Sequence, residues 1–211
     1  MEKNKKIKIC CMGDSITYGF PLQDLSNRWS DLVAARTGNE VINCGLNGDS
    51  TFGMLVRCQR QVFDRRPDLL VILGGINDII ITGTYRMACG NIISMVKQAQ
   101  TEGIHVAVGL PLPISPQDMA KPWDPDRDNE RSVGECEKYA YWLRCYCGER
   151  GIPMVDFRGA FFNEDGSVRR ELLADGLHPN AEGHRKMADV LCEFLEELEI
   201  QTPIGRDEQG S

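Results

Sequence analysis

The first apolar run of the chain stops at Gly13-Asp14-Ser15, and only three histidines are available to turn that serine into a nucleophile. A serine hydroxyl is a weak nucleophile at neutral pH and needs a base within hydrogen-bond reach. His105 opens an apolar stretch and reads as a core or edge residue. His184 stands among Glu182, Arg185 and Lys186 and reads as part of a solvated helix face. His178 lies in "ADGLHPNAEG", where Pro179 biases it toward extended backbone and Gly176 argues against a helical Asp175–His178 pair. A loop can fold the Asp175 carboxylate back onto Nδ1 of His178, leaving Nε2 to face Ser15, the orienter–base–nucleophile logic of acyl transfer. Such chemistry also needs donors for an oxyanion. Ser15 offers its own amide, "NCGLNGDST" offers Gly48 with no Cβ in the way, and "LGGINDI" offers the carboxamide of Asn77.

Each of these residues has a plainer reading. Asp14 and Ser15 can cap a helix or close a turn. Gly48 and Asn77 alone can be turn residues, and Asp175, His178 and His184 are types that bind metals. The metal reading leaves Ser15 and Asn77 without a role. Of the tryptophans, Trp29 and Trp142 sit in helical patterns and read as packing. Trp123, in a proline-rich stretch, is a pocket wall or a solvated connection.

The elements that must position these groups alternate between strand and helix. Ile7–Met12, Val41–Cys44, Leu69–Leu73, Val106–Leu110 and Pro153–Phe157 are short apolar runs bounded by Gly or Pro, the pattern of buried strands. Helical spacing appears after Trp29, after a Ser50 cap with Phe52, Leu55, Val56 and Val62, over Tyr85–Thr101, over Val133–Arg150 and from Ala181 to Glu199. This predicts an α/β sandwich on a mainly parallel sheet. Ligands of such sheets bind beyond the carboxyl ends of the strands, where Ser15, Asn47-Gly48 and Asn77-Asp78 all fall. Residues 1–200 read as one domain and 201–211 as a flexible polar tail.

Composition narrows the function. The 211 residues carry a net charge of −7, and basic residues cluster only at Lys3–Lys8, which argues against binding nucleic acid. The nine cysteines fall inside apparent strands and helices, and Cys145 and Cys147 have no second pair at zinc spacing. Reduced thiols in a cytoplasmic protein are the expectation. No signal peptide or membrane-length apolar run is visible, so membrane insertion is not expected.

The blocks GDS at 13–15, Gly48 within NxxGDS, GxND at 75–78 and DxxH at 175–178 resemble, in order, those of the SGNH (GDSL) hydrolase superfamily. The resemblance spans nearly the whole chain. It implies a three-layer, flavodoxin-like α/β/α sandwich of about five parallel strands. It also implies Ser15 as nucleophile, His178 as base, Asp175 as its orienter, and Gly48 and Asn77 as oxyanion donors. Asp14 and Trp123 are the expected substrate contacts. The expected activity is hydrolysis of a small ester, acetyl or another short acyl, with no metal and no cofactor. The alternatives are an acyltransferase, a thioesterase, a carbohydrate acetylesterase or a non-catalytic flavodoxin-like binding module. A flavin is disfavoured, because the first loop lacks a glycine-rich phosphate cradle and carries acidic Asp14.

Overall fold

The computed structural model describes residues 6–120 and 129–198; Trp123 and the 201–211 tail lie outside the described residues. Five strands, β1 (Lys8–Gly13), β2 (Glu40–Gly45), β3 (Leu69–Leu73), β4 (His105–Gly109) and β5 (Met154–Val155), pair in parallel in the order β2-β1-β3-β4-β5. The helices are α1 (Ser15–Tyr18), α2 (Trp29–Thr37), α3 (Thr51–Gln61), α4 (Ile76–Thr82), α5 (Arg86–Thr101), α6 (Asn129–Arg150) and α7 (Ala181–Glu197).

Both faces of the sheet are covered, which explains why the strands read as continuous apolar runs. Alternate side chains point to opposite faces. Ile9, Cys11, Leu69, Val71 and Ala107 meet Trp29 and Val33 of α2 and Met187 and Leu191 of α7. Cys10, Met12, Leu70, Ile72 and Val108 meet α3, α5 and α6 through Met54, Met95 and Leu143. The result is the expected three-layer sandwich. Truncating a residue as deep as Leu191 to alanine would cost about 2–5 kcal/mol. Among the described residues no helix is long and apolar enough to cross a membrane.

Three details differ from the sequence reading. Helices α1 and α4, of 4 and 7 residues, are too short to leave a periodic signal. The fifth strand spans only Met154–Val155, because the Phe157 amide turns back to the Val155 carbonyl (2.9 Å). In α3 the buried residues are Thr51, Met54 and Cys58, whereas Phe52 and Val56 are 59% and 68% exposed. Small and sulfur-bearing side chains fill the buried face there, Leu55 packs at its margin, and Phe52 and Val56 face outward.

Candidate active site

The strand order reverses about β1 and β3, and their carboxyl ends open the crevice typical of such folds. Ser15 begins α1 directly after β1. Asp14 caps that helix, its carboxylate accepting from the Ile16 amide at 2.9 Å. As the first helical residue, Ser15 has a backbone N–H with no intrahelical acceptor. Its side chain is nearly covered, the residue being 8% exposed.

Its Oγ lies 2.9 Å from Nε2 of His178, and Nδ1 of His178 lies 2.8 Å from Oδ2 of Asp175. The Asp175–His178 loop supports this arrangement. Oδ1 of Asp175 accepts from the His178 amide (2.8 Å) and the Leu177 amide (3.1 Å), and the Ala174 amide donates to the His178 carbonyl (2.8 Å). Burial acts to raise the Asp175 carboxyl, but the hydrogen bonds from His178 and Leu177 outweigh it and hold the group below the usual carboxylate value. Gly176 is required twice: its φ is +81°, and a Cβ there would meet the Ser115 carbonyl oxygen at 2.4 Å. The Ser115 amide in turn donates to the Gly176 carbonyl (2.8 Å), so the segment after β4 braces the loop.

The two remaining oxyanion candidates stand beyond the carboxyl ends of β2 and β3. Gly48 follows β2 in a turn closed by the Asp49 amide on the Leu46 carbonyl (3.2 Å). It has φ +73°, and open space lies where a Cβ would point. Asn77 sits in the first turn of α4, and its Nδ2 donates to the Asp49 carbonyl at 2.9 Å. A carboxamide nitrogen has two hydrogens, so one remains for a ligand. The neighbouring Asp78 accepts from Thr51 through both its amide (2.9 Å) and its hydroxyl (2.6 Å), tying α4 to the start of α3.

Other expectations fare differently. Asp14, expected to meet substrate, is 2% exposed, and burial pushes its carboxyl up to about 7, with Asp49 and Asp78 adding to the rise. It faces inward as a helix cap. His105 is exposed at the start of β4 rather than packed in the core. His184 is not on a solvated face: it is 0% exposed, and its Nδ1 accepts from the Trp29 amide (3.3 Å). Among the described residues no cluster of His, Cys, Asp and Glu has metal-site geometry. Trp29 and Trp142 pack as expected, Trp142 stacking between Tyr139 and Tyr146.

Residues missed in the sequence also touch the site or the segments that carry it. The Phe20 ring stands edge-on to His178 with centroids 4.8 Å apart. Arg57 reaches from α3 to the ends of β1 and β2. Neither carries a local signal beyond Phe20 lying five residues after Ser15.

Comparison with known proteins adds an independent line. The GDSL-like lipase/acylhydrolase family model matches residues 11–186. Esterase TesA of Pseudomonas aeruginosa is 32% identical over 193 residues, covering 89% of this chain and 87% of that protein. The isoamyl acetate-hydrolyzing esterase of Saccharomyces cerevisiae is 24% identical over 210 residues, covering 90% and 86% respectively. The native aryl esterase of M. smegmatis shares the fold, with a TM-score of 0.76 at 22% identity over 92% of this chain and 100% of that one.

Proposed function

Because the chain belongs to the GDSL-like lipase/acylhydrolase family, we propose that it is a serine esterase whose single hydrolase domain, residues 1–200, acts through Ser15, His178 and Asp175. The Ser15 oxygen attacks the ester carbonyl while Nε2 of His178 takes its proton. Asp175 holds the Nδ1–H tautomer and stabilises the imidazolium. The Ser15 and Gly48 amides and Asn77 Nδ2 receive the oxyanion. Collapse expels the alcohol, which takes the proton from the imidazolium, and leaves an acyl-Ser15 ester. Water, deprotonated by His178, then attacks that ester, releasing the acid and restoring the serine hydroxyl.

The observation that carries this reading is the continuous relay from Ser15 Oγ to His178 (2.9 Å) to Asp175 (2.8 Å). The substrate is a small carboxylic ester with a short acyl group, acetyl above all. The test is labelling by an organophosphonate probe together with hydrolysis of chromogenic esters from acetyl to decanoyl. Ser15→Ala and His178→Ala should each lose about 10³-fold or more in kcat, and the double variant little beyond that. Labelling that persists in Ser15→Ala would remove the nucleophile assignment. A higher kcat/KM for decanoyl than for acetyl esters would remove the short-acyl assignment.

A further inference from the structure

We propose that Arg57 is a positioning residue that fixes the nucleophile turn against the oxyanion loop, an inference that rests on the esterase reading above. Its guanidinium is held on every side. Nη2 donates to the Gly13 carbonyl (2.8 Å), Nη1 to the Cys44 carbonyl (2.7 Å) and to Oε1 of Gln61, and Nε to Oδ2 of Asp49 (2.7 Å). Gly13 lies two residues before Ser15, Cys44 is the penultimate residue of β2, ahead of the Gly48 loop, and Asp49 follows Gly48 directly.

Asp49 joins this clamp to Asn77. Its carboxylate takes Arg57 while its backbone carbonyl takes Asn77 Nδ2 (2.9 Å). The carriers of all three oxyanion donors therefore hang on one frame with Arg57 at its hub. The Arg57–Asp49 pair is largely withdrawn from water, with side chains 13% and 8% exposed. A buried ion pair adds little net stability against an apolar replacement, so stability alone does not account for it. Four acceptors in fixed directions suit a planar fork of donors, and an ammonium cannot meet them together.

Displacing a catalytic group by about 1 Å can cost about 10²-fold in rate. Hydrolysis of p-nitrophenyl acetate by Arg57→Lys, Arg57→Gln and Asp49→Asn should therefore lose about 10²-fold in kcat, with KM within about threefold, in variants with native circular dichroism. Combining each with Asn77→Ala should lose less than the product of the two single losses, because part of what Arg57 positions is the Asn77 donor itself. A purely structural role would instead lower the phosphonate-titratable fraction of enzyme and leave kcat per titrated site unchanged. That result overturns the proposal, as do wild-type kcat in the folded variants or losses that simply multiply with Asn77→Ala. If Arg57→Gln fails to fold, Asp49→Asn decides, since it removes the ion pair and keeps the carbonyl that Asn77 uses. A wild type that neither hydrolyses the ester nor is labelled at Ser15 brings down the esterase reading and this inference with it. An active, labelled wild type beside unaffected variants overturns the role of Arg57 alone.

Discussion

Asp14 sits one residue before Ser15, sealed from water and within reach of the Asp49 and Asp78 charges, so its charged form is disfavoured. Burial is the largest cause of its shift to about 7, and the hydrogen bond from the Ile16 amide only partly opposes it. The folded pKa is above the unfolded one, so folding is favoured most below about pH 4, where the group is protonated in both states. That advantage is lost as pH rises toward 7, because the unfolded chain releases the proton first. Asp14→Asn keeps an oxygen for the Ile16 amide and removes the titration. Its melting temperature should exceed that of the wild type at pH 8 and converge with it near pH 4; a gap constant across that range would refute the assignment. Asp175 acts in the opposite sense, as a carboxylate kept charged. In serine proteases the amide replacement costs about 10⁴-fold in kcat. Here Asp175 also accepts from two loop amides, which an asparagine oxygen can still do. Asp175→Asn should lose about 10²–10³-fold, a step below the protease figure, measured as kcat on a saturating short ester. A loss of twofold or less would assign the orienting role to another group.

Helices α2 and α7 are joined by a contact that neither announces. The Trp29 amide, an orphan donor at the start of α2, finds its acceptor in Nδ1 of His184 on α7, and the Arg36–Asp189 ion pair (2.7 Å) closes the far end. Burial is the main cause that lowers His184 to about 4, with the Arg28 and His178 charges adding to it. A depressed histidine stabilises the fold above its unfolded value near 6.5, and that stability is lost as pH falls toward 4. His184→Gln offers an acceptor that does not titrate, so the fall in melting temperature between pH 6.5 and 4 should flatten. An unchanged slope would place the acid-sensitive group elsewhere. The sequence pointed the wrong way here, since Glu182, Arg185 and Lys186 surround a residue on the one face of α7 that the sheet covers. Helical period says which residues share a face, but a neutral histidine adds no clear weight to either side.

Across the whole molecule the nine cysteines are unpaired, most of them buried, and Cys145 is exposed. Burial raises the thiols of Cys11, Cys58, Cys89, Cys136 and Cys147, which keeps them protonated and slow to react. Iodoacetamide at pH 7.5 should modify Cys145 first in the native protein and all nine in urea. A reductant should leave the melting temperature unchanged; a drop would mean that disulfides support the fold. By itself the sequence determined the layer architecture and the five strands, and it singled out Ser15, Gly48, Asn77, Asp175 and His178 as candidates. Those signals are local: apolar runs ended by glycine or proline, and short motifs whose chemistry can be read from residue type. Only the tertiary structure decided the 2.9 Å approach of Ser15 to a histidine 163 positions away. It alone turned Asp14 inward, buried His184 and put Arg57 across two strand ends. Each of these depends on which groups are shut away from water together, and residues far apart in the chain settle that only when the sheet brings them into contact.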